Sequence, residues 1–335
     1  MKKTQITKRG TTLRSLSALL FAALLCSSLA LPVGATDRYA QGVEQRAYTA
    51  EPSVSVEYSE GYKDDRYVGD HGTVSYNLPG APSLNIAAHK ALPLRINGRT
   101  LSESALIMNG ITYLPARAVA NAIDGLSMSY SSSTKTATFT ASGLYMTATH
   151  GGYVTYANGR ALFAFSPTVV MSNGRMYIPA TSLAKALGLG YQRSESDVRL
   201  DGGLKPLKDA TAYYREDEVF WLARIIQAES GGEPLLGQMA VGNVILNRVR
   251  SSQYPNTIYG VIFDRKYGVQ FSPILNGSIY NTPSYNARLA AMICLEGTLL
   301  SEDVLFFLNP VESQSSWIVK NRKYAYTILN HDFYL

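Results

Sequence analysis

The chain of 335 residues is poor in the side chains that metal, redox and thiol chemistry require. It has two cysteines and four histidines, and none of them stands at a spacing typical of a zinc site or a cysteine–histidine pair. Cys26 lies in an N-terminal apolar segment, so Cys294 is alone once that segment is removed and no intrachain disulfide can form. We therefore expect no metal and no cofactor, and we interpret Cys294 as a buried packing residue.

One apolar run near the N-terminus has the organisation of an export signal. Five basic residues precede an apolar core at residues 18–31, and Val33-Gly34-Ala35 supplies the small residues of a cleavage site. This pattern predicts a signal peptide over residues 1–35 and a secreted protein that begins at Thr36. No stable membrane span is expected after cleavage, and an uncleaved anchor is the alternative.

A strong excess of charge is also missing once this segment is set aside. Five of the 31 basic residues and none of the 25 acidic residues fall within residues 1–35, so the excess of basic residues drops from six to one. A chain so close to neutral lacks the basic footprint typical of nucleic-acid binding. We expect no nucleic-acid partner.

Residues 36–88 and 89–205 differ in their patterning. The first segment is rich in Ser, Gly, Tyr and acidic residues without sustained periodicity, which predicts a flexible linker. In the second, residues 108–123 align with residues 172–187 at a constant offset of 64 residues. Each copy supplies an Asn-Gly turn, a short strand, a Pro that opens a helix and an apolar helical face.

Further Asn-Gly pairs at Asn97 and Asn158 predict a second hairpin in each copy. The repeat thus predicts two small αβ units that pack into one domain. The segment resembles the stalk domain known as copper amine oxidase N-terminal-like, but it has no histidine cluster and we expect no copper. Its role is open between a spacer or wall-binding module and an inert scaffold.

A carboxylate stands where an apolar helix face ends. Apolar residues recur at three- and four-residue spacing from Val219 to Ile226, and Glu229 continues that stripe. Glycines and Pro234 then end the helix. Because burial disfavours the charged form, the pKa of Glu229 should rise toward neutrality, as a general acid requires. The alternative is a helix-end residue that reaches water.

The segment from Ala228 to Val249, followed by Gln270-Phe271-Ser272-Pro273 and Asn309-Pro310, resembles the cell wall hydrolase family that includes the spore cortex-lytic enzymes. The resemblance covers residues 213–335. It implies a mainly helical, lysozyme-like catalytic domain over residues 210–335 that cleaves the glycan strand of peptidoglycan, with Glu229 as the catalytic glutamate. The fold class expected for the whole chain is therefore α+β, a two-repeat stalk domain followed by this helical domain.

Two further helices and several supporting residues can be placed in this domain. Apolar periodicity predicts helices over residues 237–249 and from an N-cap at Ser284 to Gly297. Candidates for substrate contact, all polar side chains on loops, are Gln270, Ser272 and Asn309. Candidates for a supporting role behind the site are Glu233, Asn243 and Asn247. The alternative for the two Asn side chains is that they only hydrogen-bond nearby backbone groups. His331 is interpreted as structural.

The number of carboxylates separates two reactions. Hydrolysis of a glycosidic bond usually needs a second carboxylate, and no motif assigns one among the acids near Glu229 in sequence. These are Glu233, Asp264, Glu296, Glu302 and Asp303. One acid suffices for a lytic transglycosylase, which is also what the family resemblance implies. The alternatives are a hydrolytic muramidase and an inactive wall-binding or spore-coat structural protein. We expect the protein to be secreted into the cell wall or spore envelope of a Gram-positive bacterium.

Overall fold

The computed structural model describes residues 89–165, 168–311 and 316–335. The predicted signal peptide and the predicted linker lie outside these residues. The described chain has a β-rich stalk part followed by a helical C-terminal part, so the predicted α+β organisation is confirmed.

The stalk part is built from short strands around two helices. The strands are β1 (His89–Leu92), β2 (Leu94–Ile96), β3 (Arg99–Thr100), β4 (Ala105–Met108), β5 (Ile111–Pro115), β6 (Ser127–Ser131), β7 (Thr136–Ala141), β8 (Leu144–Thr149), β9 (Val154–Ala157), β10 (Arg160–Phe163), β11 (Val170–Ser172), β12 (Arg175–Pro179), β13 (Gly190–Arg193) and β14 (Val198–Asp201). The helices are α1 (Ala116–Ala122) and α2 (Ala180–Leu187). The strands form three sheets, ordered β1-β4-β5-β12-β11, β10-β9-β8-β7-β6 and β13-β14-β2-β3.

The internal repeat gives the first sheet a local two-fold relation. Each copy is a hairpin followed by a helix, β4-β5-α1 and β11-β12-α2. Strands β5 and β12 pair antiparallel with Leu114 opposite Ile178, and these two residues hold the same position in the two copies. Both are fully buried. The two predicted units thus share one sheet.

Asn-Gly turns close four hairpins of the stalk, as predicted. Both residues of each turn have positive φ, the geometry of a two-residue hairpin turn that matches the twist of the strands. These pairs are Asn97-Gly98, Asn109-Gly110, Asn158-Gly159 and Asn173-Gly174. The hairpins at Asn97 and Asn158 lie in different sheets, however, so they are not equivalent parts of the repeat. The second belongs to a five-stranded meander between the two copies that the pattern did not predict.

The C-terminal part is mainly helical. Its helices are α3 (Ala210–Tyr213), α4 (Glu216–Ser230), α5 (Leu235–Arg250), α6 (Ile258–Ile262), α7 (Pro273–Asn276), α8 (Tyr285–Leu295) and α9 (Ser316–Asn321), and its strands are β15 (Phe306–Leu308), β16 (Tyr324–Ile328) and β17 (His331–Tyr334). The predicted second and third helices are confirmed as α5 and α8. The Ser284 side chain caps α8 by accepting from the amide of Ala287, and Gly297 follows it with φ +88°. No helix among the described residues has the length and apolar content to cross a membrane.

Helices α4, α5 and α8 pack closely because α5 carries a glycine at the point of contact. A Cβ on Gly242 would lie 2.9 Å from Cys294 Sγ on α8 and 2.9 Å from Ile226 Cδ1 on α4. Cys294 is buried, as predicted, and burial raises the pKa of its thiol. The thiol therefore packs between helices and stays protonated.

The stalk contacts the C-terminal part through a joint core. Val154, Tyr156 and Ala161 from the stalk meander belong to the same apolar cluster as α4, α5 and α8. The hydroxyl of Tyr156 lies 2.8 Å from that of Tyr285 at the start of α8. The two parts therefore pack against each other, and residues 154–163 serve both.

A buried carboxylate ties the two parts electrostatically. Glu296, directly after α8, receives both Nε and Nη2 of Arg160 at 2.8 Å, Nζ of Lys185 at 2.8 Å and the hydroxyl of Tyr214 at 2.6 Å. Burial alone would raise the pKa of Glu296, but these donors outweigh it and the pKa is lowered. Glu296, one of the acids considered for the reaction, is thus held as a carboxylate between the domains.

Candidate active site

The end of α4 places Glu229 at the edge of the helical core. Val219, Leu222 and Ile226 are buried along one face of this helix, as their spacing predicts. The helix ends at Ser230, whose hydroxyl donates back to the carbonyl of Ile226 at 2.8 Å. A Cβ on Gly231 would lie 2.6 Å from the carbonyl oxygen of Gln227. Glycine therefore lets the chain turn tightly just after Glu229.

The carboxyl of Glu229 is largely removed from water. Its Oε1 is buried and accepts no hydrogen bond from the described residues. Burial raises the pKa of Glu229 to about 7, against the opposing effect of the positive charges of His331 and Arg248. The rise that the sequence predicted is confirmed. A carboxyl with this pKa populates both its protonated and ionised forms near neutral pH.

Glu233 is a second buried carboxylate, four residues further on. Asn330 Nδ2 donates to its Oε1 at 3.0 Å, and His331 Nδ1 lies 3.4 Å from the same oxygen, an ion pair when the imidazole is protonated. A Cβ on Gly237 would lie 3.0 Å from the Cβ of Glu233, so this glycine leaves room for the side chain. Glu233 is thereby fixed to the C-terminal hairpin.

Arg248 brings a buried positive charge to the site. It lies near the end of α5, and its Nε donates to the carbonyl of Leu305 at 2.8 Å. The rings of Tyr254, Phe271 and Phe306 surround its guanidinium at 5.0 to 5.5 Å. Burial lowers the pKa of Arg248, and the negative charge of Glu229 is among the groups that raise it. Arg248 and Glu229 thus influence each other directly.

His331 joins these groups although the sequence suggested only a structural role. It opens β17, is 8% exposed, and packs its ring against Phe307 at 5.7 Å. From there it reaches Glu233 and lowers the pKa of Glu229. The resemblance of the terminal segment to the family was the one signal in the sequence that pointed to it. Arg248 lies in the segment that carries the resemblance and Asn330 in the region that it covers, but no residue pattern singled out either of them.

Buried polar atoms without a hydrogen-bond partner gather in this region. Among the described residues they include Glu229 Oε1, Glu233 Oε2, Gln238 Oε1, Arg248 Nη1 and His331 Nδ1. An unsatisfied buried donor or acceptor costs stability, and such groups are often found at catalytic sites. Both donors and acceptors are thus available to a bound substrate. No group of three or more His, Cys, Asp or Glu side chains in the described chain is placed to hold a metal ion.

The predicted substrate-contact residues lie on two segments that border Arg248 and His331. Gln270 and Ser272 are exposed on either side of Phe271, which is buried against Arg248 and stacks on Phe307 at 6.5 Å. Asn309 follows β15, whose Leu308 pairs with Asp332 beside His331. None of the hydrogen bonds described for the chain joins these three residues to Glu229. Their contact with substrate stays a prediction.

Asn243 and Asn247 hold the chain behind the site. Asn243 donates to the carbonyl of Thr298 at 2.9 Å and accepts from the amide of Leu300 at 2.8 Å. Asn247 donates to the carbonyls of Ser301 at 2.9 Å and Val304 at 2.8 Å. Both side chains are buried. They fix the loop that leads from α8 to β15, and they reach the site only through that loop.

Profiles of two families match the chain. That of the Cell Wall Hydrolase family matches residues 232–334, and that of the Copper amine oxidase N-terminal domain matches residues 95–199. The first match includes Glu233, Arg248 and His331. It begins three residues after Glu229 and therefore does not test that residue.

The curated relatives are spore cortex-lytic enzymes. One from Bacillus cereus is 39% identical over 105 residues, which are 31% of this chain and 39% of the relative. One from Bacillus subtilis is 36% identical over 105 residues, 31% of this chain and 33% of the relative. The chain thus spans less than half the length of the curated relatives it matches.

A solved structure is similar to the same region. The catalytic domain of the germination-specific lytic transglycosylase SleB from Bacillus anthracis is 37% identical, with 36% of this chain and 97% of that chain covered and a TM-score of 0.34. By the two profile matches and the curated relatives, the protein combines a copper amine oxidase N-terminal domain with a C-terminal cell wall hydrolase domain homologous to the spore cortex-lytic enzymes.

Proposed function

We propose that the protein is a secreted peptidoglycan-cleaving enzyme, a lytic transglycosylase that cuts the glycan strand between N-acetylmuramic acid and N-acetylglucosamine. The observation that carries the proposal is the carboxyl of Glu229, whose buried Oε1 has no hydrogen-bond partner among the described residues and whose pKa is about 7. The relatives support the substrate class, since they are named for lysis of the spore cortex.

Glu229 acts twice in this scheme. Its protonated carboxyl donates a proton to the glycosidic oxygen as the bond from that oxygen to C1 of the muramoyl unit breaks. The resulting carboxylate then takes the proton of the muramoyl 6-hydroxyl while this oxygen bonds to C1. The net change moves one proton from O6 to the leaving oxygen, closes an anhydro ring and consumes no water. A pKa near neutrality suits a group that must first donate and then accept.

The surroundings of Glu229 support one acid rather than two. The groups that lower the pKa of its carboxyl are His331 and Arg248; the positive charge of Arg248, and that of His331 when its imidazole is protonated, stabilises the carboxylate formed after proton donation. Glu296 is engaged by Arg160 and Lys185 at the domain interface. Glu233, the candidate of the muramidase alternative, has its Oε1 held by Asn330, while its Oε2 has no partner among the described residues. A hydrolytic mechanism needs a second carboxylate across the bond from the first.

Location and substrate contact complete the proposal. We place the protein in the cell wall or spore envelope of a Gram-positive bacterium, exported by the segment that precedes Thr36. Gln270, Ser272 and Asn309 contact the glycan, since they lie on exposed or half-exposed segments next to residues that touch Arg248 and His331.

The chemistry of the products tests the reaction. The protein from Thr36 onward and its Glu229→Gln variant are incubated with vegetative sacculi and with cortex peptidoglycan, and released muropeptides are analysed by mass spectrometry. We expect anhydro-muropeptides from the first protein and none from the variant. Reducing ends would overturn the transglycosylase in favour of a muramidase. An absence of products from both walls would leave a wall-binding protein.

A further inference from the structure

The stalk carries a cleft that the proposed reaction does not use. This stalk cleft encloses about 620 Å³. It lies between β3 with the residues that follow it, α1, β6 and the β11–β12 hairpin. Its lining includes Arg99, Arg117 and Arg175 together with Met128, Tyr130 and Met176. All of these residues belong to the stalk, so the cleft is complete without the hydrolase domain.

The three arginines of the cleft differ from the other arginines of the described stalk. Seven arginines lie in residues 89–205, and the other four make ion pairs or hydrogen bonds. Arg95 and Arg199 pair with Asp197, Arg160 pairs with Glu296, and Arg193 donates to the carbonyl of Gly110. The guanidinium groups of Arg99, Arg117 and Arg175 make no hydrogen bond or ion pair with any described residue. The guanidinium groups of the described stalk that lack a partner thus all line the stalk cleft.

The rest of the lining does not neutralise this charge. Glu103 is the single acid in the cleft, and one of its oxygens accepts the hydroxyl of Ser102 at 2.7 Å. Methionines and Tyr130, which is 38% exposed, add apolar surface next to the charges. A flat ring and thioethers suit the carbon faces of sugars or polyols, while the arginines suit their anionic groups.

We propose that the stalk cleft binds a polymer of polyol or sugar units joined by phosphodiesters, such as an anionic polymer of the cell envelope. A phosphate presents several oxygens around one centre and is bound by guanidinium groups through paired N–H donors. Three guanidiniums around one cavity match closely spaced phosphates better than a single carboxylate, which one arginine already satisfies. Binding here is independent of Glu229, so it stands or falls separately from the proposed reaction.

Binding of soluble poly(glycerol phosphate) to the full chain from Thr36 onward tests this assignment, measured by calorimetry at low and moderate salt. We expect binding that weakens with salt and that falls at least ten-fold in an Arg99→Gln, Arg117→Gln, Arg175→Gln variant. The matched control replaces three exposed lysines outside the cleft, Lys135, Lys205 and Lys208, with Gln. It removes the same charge and should bind as the parent does.

Polyglutamate of similar length distinguishes phosphates from carboxylates. We expect it to bind at least ten-fold more weakly than poly(glycerol phosphate). Equal binding of the two polymers, no binding of poly(glycerol phosphate) by the parent, or an equal loss in the lysine control would each overturn the assignment. Should the triple arginine variant fail to fold by circular dichroism, the single Arg117→Gln change on the exposed side of α1 takes its place, with at least a three-fold loss expected.

Discussion

Two carboxylates of this protein, Glu229 and Glu296, are both withdrawn from water and yet differ in state. Glu296 receives four short donor contacts from Arg160, Lys185 and Tyr214, and its pKa is lowered. Glu229 has a buried oxygen that accepts no hydrogen bond from the part of the chain that the structure describes, and its pKa is raised to about 7. The difference shows that the supply of donors decides whether burial holds a carboxylate ionised or prepares it to exchange a proton.

The largest effect is expected on the rate of glycan cleavage, when the exchangeable proton of Glu229 is removed. Glu229→Gln should lower the rate of glycan cleavage by about 10²- to 10⁴-fold, since an amide can neither donate nor accept that proton. The rate of muropeptide release under saturating peptidoglycan measures it. The control Glu302→Gln removes an exposed carboxylate and should keep the parent rate. A Glu229 variant with a near-normal rate would contradict the assignment of the acid.

Removing the paired carboxylate should affect stability instead. Glu296→Gln leaves Arg160 buried without its counter-charge, which typically costs about 3–5 kcal/mol in the free energy of unfolding. Urea denaturation at pH 7 measures the loss. Because the pKa of Glu296 is lowered, this stabilisation is present above the ordinary pKa of glutamate and is lost as the pH falls through the folded-state pKa. The difference between parent and variant should therefore shrink in acid.

The contribution of Glu229 to the free energy of unfolding should depend on pH in the opposite direction. Its pKa rises from 4.5 to about 7 on folding, so the unfolded chain releases this proton at lower pH than the folded chain does. The parent should lose about 3 kcal/mol of unfolding free energy between pH 4.5 and 7 through this group. Glu229→Gln lacks that loss and should be more stable than the parent at pH 8 but not at pH 4.5. Urea denaturation at both pH values checks this, and equal stabilities at pH 8 would contradict it.

The smallest effect on activity concerns the imidazole of His331, next to Glu229. His331 lowers the pKa of Glu229, so His331→Gln should raise it and move the alkaline limb of the pH–rate profile upward by up to about one unit. His150→Gln, an exposed histidine of the stalk, is the control. A downward shift, or a loss of rate with no shift, would show that His331 acts in another way.

The sequence predicted the parts of the site that depend on local pattern. The helix that carries Glu229, its end at Ser230 and the rise in pKa all follow from residues within one or two turns. The partners of Glu296 and Glu233 come from far along the chain, with Arg160 136 residues before Glu296 and Asn330 97 residues after Glu233. Such pairings arise from tertiary packing, which no periodicity records.

In the stalk, too, the sequence predicted the features that depend on local pattern and missed those that depend on packing. Asn-Gly pairs predicted four turns because only a few residues adopt positive φ readily. Strand β6, with the sequence Ser-Met-Ser-Tyr-Ser, is mostly exposed and has little apolar signal to separate it from a loop. The packing of the meander on the hydrolase domain likewise follows from Tyr156 and Arg160, which look like ordinary strand residues in the sequence.

The pairing of Leu114 with Ile178 bears on the ancestry of the stalk. Since equivalent strands of the two copies meet antiparallel about this pair, one copy alone presents an edge that is complementary to itself. A single ancestral unit would have had the geometry of a homodimer, and duplication within one gene would have fused its two subunits. The two halves were then free to diverge. Position 185 of the second copy holds a lysine that reaches Glu296, while position 121 of the first holds an asparagine that faces the stalk cleft.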